Sequence, residues 1–440
     1  MDEPFDLIVS GGRLVTASGQ RDADIGIRKG RIAAIGDLGS AAAALTLPAR
    51  GLHVLPGVID TQVHFREPGL THKEDLATGT LAAILGGVTA VFEMPNTNPP
   101  TTSAAALDDK LARARGRARC DHAFFVGATP ENADTLRELE RRPGCCGVKM
   151  FMGSSTGSLL VAEDKDVARV LRNGRRRIAV HAEDEARLVE RKPAHALAGR
   201  PESHPDWRDA ETARRATERL LRLARAAERR VHVLHVTTAE EIPLLAAAKD
   251  VATFEVTPQH LTLEAPECYE RLGTRAQMNP PIRDARHREA LWRAVSDGIA
   301  DVIGSDHAPD TLEEKARPYP ESPSGMAGVQ TLLPLLLDHV ARGRLSLARL
   351  VDLTSAGPAR AFGIQAKGRI ETGYDADLTL VDLSRTERIT NAWIRSRCGW
   401  TPFDGMPVAG WPVATVVRGH VVMRDGEALG EPIGAPMRFD

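Results

Sequence analysis

From residue 55 to residue 305 the chain repeats one unit: an apolar run of strand length, then a helical segment rich in Ala, Leu, Arg and Glu. Nothing else in the 440 residues limits the fold as much. Runs of the fully buried, parallel-sheet kind cover 55–65, 89–95, 121–128, 147–153, 177–182, 231–237, 252–258 and 301–305. Helical segments between them include 104–119, 211–228, 240–249 and 287–297. Eight β-α units in succession predict a closed (β/α)8 barrel of the TIM type rather than an open doubly wound sheet. The glycine fingerprint of a dinucleotide-binding sheet is missing after the first run. The Gly-Ser-Ser-Thr-Gly of 153–157 lacks the Gly-Lys-Ser/Thr that completes a phosphate loop, so it reads as a loop closing a strand.

The two ends follow another pattern. Asp6-Leu7-Ile8-Val9 precedes Gly11-Gly12, and Ala23-Asp24-Ile25-Gly26-Ile27 precedes Lys29-Gly30, as in hairpins. The pattern returns in Arg369-Ile370-Glu371-Thr372-Gly373 and in 413–422. Neither end has strands enough for its own core. The two are predicted to pair in one small β-sandwich domain of 1–53 plus 366–440, with the barrel spanning 54–365.

Composition excludes several function classes. Hydrophobic residues are 42% and charged residues 26%, ordinary for a globular chain with a sizeable core. Net charge is -2, so clusters such as Arg175-Arg176-Arg177 and Arg113-Ala114-Arg115 read as solvated faces rather than a nucleic-acid surface. Five scattered cysteines form no CxxC pair, which suggests a reducing cytoplasm. Met1-Asp2-Glu3-Pro4 is acidic and carries no apolar signal core. No apolar run approaches membrane-spanning length, since 332–337 is interrupted by Pro334. The expectation is a cytoplasmic protein that binds neither nucleic acid nor membrane.

One residue is chemically out of place. Lys149 sits inside Cys146-Gly147-Val148-Lys149-Met150-Phe151-Met152-Gly153, where a free ammonium is costly unless it is paired, neutralised or altered. A neutral buried amine can add CO2 to give a carbamate, an anion whose two oxygens can bridge two metal ions. The bland alternative is a lysine reaching solvent from a strand end. Metal-type residues recur at the C-terminal ends of the other strands, where barrels place their chemistry. Strand one ends in Asp60-Thr61-Gln62-Val63-His64-Phe65-Arg66, and a period of two puts Asp60, Gln62, His64 and Arg66 on one face. Strand five ends in His181, strand six in His235 and strand eight in Asp306. Imidazole and carboxylate donors suit zinc or a similar divalent ion. His232 lies an odd number of positions before His235, so it is predicted to face the helices and to be structural.

Over essentially its whole length the chain resembles the amidohydrolase superfamily and, within it, the dihydroorotase family. The segments that carry the resemblance are Gly57-Val58-Ile59-Asp60 through His64-Phe65-Arg66-Glu67-Pro68-Gly69, then His72-Lys73-Glu74-Asp75 and Met94-Pro95-Asn96-Thr97. Further along stand Asn279-Pro280-Pro281-Ile282-Arg283, Asp306-His307-Ala308-Pro309, Thr311-Leu312-Glu313-Glu314-Lys315 and Thr401-Pro402-Phe403-Asp404-Gly405. The resemblance implies reversible opening of the dihydroorotate ring to N-carbamoyl-L-aspartate in pyrimidine synthesis. It implies one or two divalent ions, zinc above all, bridged by a carbamate of Lys149 and CO2. His64 and Asp306 would hold one ion, and His181 and His235 the other. Asp306 would take the proton of the attacking water and return it to the leaving amide nitrogen. Arg66 and Asn96 would grip the substrate carboxylate, and Asn279 would bind the ring. Residues 317–328 would form a surface loop near the mouth. The partners implied are a small-molecule substrate, further copies of the chain in a homo-oligomer, and aspartate carbamoyltransferase.

Three positions depart from the family pattern. Gln62 stands in place of the first strand-one histidine, and a neutral amide oxygen is a poorer zinc ligand than imidazole, so one metal site is expected to be weaker. Asp60, one pleat deeper, is a possible substitute. Asp310 stands where the family has a histidine that helps bind the carboxylate; it must turn away, stay neutral, or signal another substrate. Gln259 stands where histidine is common. Two rival readings follow: a hydrolase of another cyclic amide such as a hydantoin, dihydropyrimidine or allantoin, and a non-catalytic homologue serving as a structural partner of aspartate carbamoyltransferase.

Overall fold

The computed structural model describes residues 3–155 and 158–440. The first two residues of the acidic start, and Thr156 and Gly157 of the 153–157 loop, lie outside the described residues. Five strands open the chain: β1 (Phe5–Thr16), β2 (Gly19–Arg28), β3 (Arg31–Gly36), β4 (Ala43–Pro48) and β5 (His53–Pro56). Eight more follow between helices: β6 (Val58–Val63), β7 (Val88–Glu93), β8 (Asp121–Gly127), β9 (Cys145–Phe151), β10 (Ile178–His181), β11 (Val231–Val233), β12 (Ala252–Val256) and β13 (Val302–Ile303). The chain ends with β14 (Leu378–Arg388), β15 (Pro407–Val417), β16 (His420–Arg424) and β17 (Glu427–Ala428).

Strands β6 to β13 pair side by side in chain order, all parallel. The sheet returns on itself where Val63 bridges His307 and the His64 N–H donates to His307 O at 2.7 Å. This is the predicted barrel. Alternation sorts its side chains: Val148 and Met150 of β9, and Ile178 and Val180 of β10, pack outward with helix residues such as Val167 and Leu220. The intervening Lys149 therefore points into the barrel. Its floor is filled by Ile59, Phe92, Phe125, Ala179 and Leu234, joined by Phe362 and Met437 from the far end of the chain.

The chain ends meet in a separate nine-stranded mixed sheet, ordered β17-β16-β15-β14-β5-β1-β2-β3 with β4 on β1. The β5–β14 pairing joins the N-terminal strands to the C-terminal ones. Leu7, Ile25, Val54, Leu380 and Val416 share its core. Between β14 and β15 the chain leaves the sheet, and Trp400 is buried among Met278, Met326 and Phe403 beside the barrel mouth.

The structure corrects four local expectations. The run 55–65 divides at Gly57 between the end sheet and the barrel; a Cβ there would lie 2.3 Å from Thr89 Oγ1, so only glycine permits this approach. Gly11-Gly12 is no turn but an irregularity inside β1, where the register with β2 shifts between Val9 and Gly12. Residues 369–373 form no strand, because Gly368 (φ 82°) and Gly373 (φ 90°) turn the backbone at both ends. The helix expected over 104–119 stops at Ala114, just before Gly116 takes φ 68°. No helix among the described residues is long and apolar enough to cross a membrane.

Phe362 sets its ring edge-on to Phe92 at 5.1 Å and to Phe125 at 6.1 Å, at the floor and away from the mouth. Truncating such a ring leaves a cavity that the rigid strand ends cannot close. Phe362→Ala is expected to cost about 3–5 kcal/mol in urea or thermal unfolding. A loss below about 1 kcal/mol would show that the chain end, not this ring, seals the barrel.

Candidate active site

One cavity at the C-terminal mouth is lined by Gln62, His64, Arg66, Asn96, Lys149, His181, His235, Asn279 and Asp306, nine of the residues singled out from the sequence. Phe151, Ser155, Ala308, Ser324 and Gly325 complete it. The last two belong to the 317–328 segment, which reaches the mouth as expected. Roomier clefts lie beside the end sheet, for instance around Ser18, Arg21, Arg360 and Arg369, but they gather no comparable set of imidazoles. The chemistry favours the smaller cavity.

Three of the lining residues hold a left-handed backbone: Arg66 (φ 62°), His235 (φ 36°) and Asp306 (φ 44°). Each such non-glycine residue costs roughly 1–2 kcal/mol, strain of the kind that collects at functional sites. At His235 the reason is geometric. Val231 and Val233 face the helices, so His232 and Leu234 face the barrel interior, and strict alternation would send His235 outward. The left-handed turn brings it to the mouth. His232 is accordingly inside the barrel, not against the helices as parity predicted, but its role is structural: it bonds Thr253 Oγ1 at 2.8 Å and Glu255 Oε2 at 3.2 Å.

The donors converge in two pairs. His64 Nε2 lies 3.2 Å from Asp306 Oδ1, while its Nδ1 meets Asn96 Oδ1 at 2.8 Å. His181 Nδ1 lies 3.1 Å from His235 Nε2. Burial lowers the pKa of all three imidazoles, which keeps them in the neutral, ligating form. His181 donates from Nε2 to Glu183 Oε2 at 2.7 Å, and Arg208 clamps Glu183 from below. That partner fixes the tautomer and turns the Nδ1 lone pair toward His235. Two ligands on tetrahedral zinc, with bonds of about 2.0–2.1 Å, stand roughly 3.3–3.4 Å apart, close to both spacings seen. The donor set fits a divalent cation.

Among the described residues no three His, Cys, Asp or Glu side chains converge on one point. The group able to complete both pairs is Lys149, 1% exposed, with Nζ 4.4 Å from the Phe151 ring centre. Burial outweighs the attraction of Asp306 and Glu255 and brings its pKa down to about 7. An amine so placed is substantially neutral at physiological pH.

The departures from the family pattern each have a structural answer. Gln62 donates from Nε2 to Asp306 Oδ1 at 3.0 Å, while its buried Oε1 has no hydrogen-bond partner among the described residues. Asp60 does not replace it. A shift in the β6–β7 register between Asp60 and Val63 turns Thr61 inward, to Glu255 at 2.8 Å, and Asp60 instead accepts the Ser305 N–H at 2.9 Å. Asp310 stands behind the cavity wall, taking Lys73 Nζ at 2.7 Å with Arg66 Nη2 at 3.6 Å. Gln259 donates to Ser305 O at 2.7 Å and so pins the backbone just before Asp306. Sequence reasoning missed Glu183, Arg208, Lys73 and Glu255. Glu183, two residues after His181 on the same face, was the one with a readable signal.

Neutral imidazoles, a carboxylate and a de-charged lysine at the mouth of an eight-stranded barrel define the class: a barrel hydrolase with a candidate metal centre. The chain belongs to the amidohydrolase family, whose model matches residues 53–422. It is 39% identical over 387 residues to a dihydroorotase of Halobacterium salinarum, covering 88% of this chain and 89% of that one. It is 37% identical to an allantoinase of Rubrobacter xylanophilus, covering 99% of this chain and 98% of the relative. The solved structure of an L-hydantoinase from Arthrobacter aurescens superimposes with a TM-score of 0.93 at 33% identity, covering 99% of this chain and all of that one.

Because the Gln62 amide occupies Asp306 where an imidazole would add a donor, the His64–Asp306 pair is expected to bind metal more weakly than His181–His235. Gln62→His should raise the metal content per chain after dialysis against chelator, measured by elemental analysis. Two ions per native chain surviving that dialysis would contradict the expectation.

Proposed function

We propose that this chain is a dihydroorotase, which hydrolyses the ring amide of dihydroorotate to N-carbamoyl-L-aspartate and catalyses the reverse closure. The observation that carries the reading is Arg66. It lines the cavity beside Asn96 and is 2% exposed; its Nε donates to Pro309 O, and its Nη2, 3.6 Å from Asp310 Oδ1, has no partner at hydrogen-bonding distance among the described residues. A buried guanidinium nitrogen left unbonded is costly, and a substrate carboxylate satisfies it with charge-assisted hydrogen bonds. Relatives named dihydroorotase and aligned over most of the chain support the same choice.

On this reading His64, Asp306, His181 and His235, with the carbamate of Lys149, would hold the divalent ions. A cation bound there would supply Lewis-acid polarisation of the amide carbonyl and a nucleophile at neutral pH. The protein's own groups do the rest. Asp306 accepts a proton from the attacking water and delivers it to the amide nitrogen as the C–N bond breaks, leaving a ureido NH2 and a carboxylic acid that gives up its remaining proton to solvent as the carboxylate. The Gln62 amide on Asp306 Oδ1 leaves Oδ2 for that transfer. Arg66 and Asn96 hold the substrate carboxylate, and Asn279 holds the ring.

One observation favours an uncharged ring instead: Asp310, 3.6 Å from Arg66, offsets part of the charge that would attract a carboxylate. Measuring kcat/KM for dihydroorotate and for a hydantoin, on the native protein and on Asp310→His, separates the two. The native enzyme is expected to prefer dihydroorotate. Asp310→His, which removes the carboxylate 3.6 Å from Arg66, should lower KM for dihydroorotate by about tenfold, roughly 1.4 kcal/mol, and leave the hydantoin little changed. A tenfold native preference for the uncharged ring would overturn the proposal.

A further inference from the structure

His204 belongs to no motif read from the sequence, yet it reaches the site through one neighbour. It is fully buried, at the start of the short helix His204–Trp207. Its Nε2 lies 3.0 Å from Met278 O and 3.0 Å from Asn279 Oδ1, and its Nδ1 lies 3.2 Å from the Tyr319 hydroxyl. Burial, with Arg208 nearby, lowers its pKa to about 3, so the ring is neutral and carries one proton.

The position of that proton follows from the partners. A backbone carbonyl only accepts, so Met278 O requires the hydrogen on Nε2. Nδ1 is then an acceptor, and the Tyr319 O–H donates into it. With an N–H facing it, the Asn279 amide must offer its oxygen to His204, because its NH2 there would set donor against donor. The Asn279 NH2 is therefore turned the other way, into the cavity, where its nearest described partner is Ser155 Oγ at 3.5 Å. Amide orientation is otherwise hard to establish; here a carbonyl two bonds of the network away dictates it.

We propose that His204 is a positioning residue that holds Asn279 as a pure hydrogen-bond donor to the substrate, so that the cavity selects rings carrying an oxygen acceptor at that point. Tyr319 extends the chain to the 317–328 segment, whose Ser324 and Gly325 line the same cavity. Placement of that segment and orientation of Asn279 are thus linked through one imidazole. A ring presenting N–H there would meet NH2 and be rejected, since an unpaired buried donor costs more than a mere missing contact. The kinetic consequences rest on the cyclic-amide reading, but the tautomer does not.

Two measurements on the full-length protein test the proposal. The ring-nitrogen 15N shifts of His204, assigned by difference against His204→Gln, should show the Nε2–H tautomer without any substrate present. An Nδ1–H tautomer would overturn it. Second, His204→Leu should raise KM for whichever ring is turned over by about tenfold with a smaller fall in kcat. His204→Gln, whose terminal amide can still donate to Asn279, should recover most of that loss. Adding Asn279→Ala to His204→Leu should cost little more, because one acts through the other. Additive losses, or a glutamine variant no better than leucine, would show that His204 only fills space. If neither dihydroorotate nor a hydantoin is turned over, the cyclic-amide reading fails, while the tautomer still decides the case for His204.

Discussion

The site is organised around one lysine placed where its charge is unwelcome. β9 alternates Val148 and Met150 toward the helices, so Lys149 has no direction but the barrel interior. There burial brings its pKa down to about 7. The attraction of Asp306 and Glu255 and the Phe151 ring at 4.4 Å do not offset that burial. Two donor pairs line the same cavity, His64 with Asp306 and His181 with His235, and among the described residues no third His, Cys, Asp or Glu joins either. The other buried lysines each have polar partners, Lys110 on Glu93, Lys367 on Asp121 and Asp377, and Lys315 on the carbonyls of Gln277, Pro323 and Gly325. Lys149 has the Phe151 ring at 4.4 Å instead.

Around this centre the barrel departs from regularity where a donor has to be aimed. Left-handed residues at Arg66, His235 and Asp306 each redirect one side chain at the mouth, and the register shift after Asp60 turns Thr61 inward to Glu255. The supports are polar and buried. Glu183 with Arg208 orients His181, Gln259 pins Ser305 before Asp306, and Lys73 pairs with the buried Asp310 behind Arg66. Such supports tolerate little loss, because each partner removed leaves the other buried and unpaired. Rigid strands deliver the donors, and these polar contacts set their angles.

The fold and the principal donors were legible in the sequence because both rest on repetition. Eight apolar runs give the barrel, and strand ends give His64, Lys149, His181, His235 and Asp306 a shared address. The illegible parts are those where repetition breaks. Parity assigned His232 to the helices and set Asp60 on one face with Gln62, His64 and Arg66, and a single left-handed residue or register shift changes each. The glycine pair at 11–12 and the stretch 369–373 looked like hairpin grammar, yet positive-φ glycines serve bulges and bends as readily as turns. Supports such as Arg208 and His204 are far from the residues they serve along the chain and carry no local signal at all.

The central claim is that Lys149 works as a carbamate rather than as an ammonium. The most direct measurement is 13C NMR of the metal-loaded protein prepared with 13C-labelled bicarbonate, compared with Lys149→Arg. The account predicts a carbamate resonance in the native protein that is absent from the variant. It also predicts that the variant loses metal affinity together with activity. A native protein that binds metal fully with no carbamate signal, and with an unmodified amine at Lys149 in a crystal structure, would contradict it.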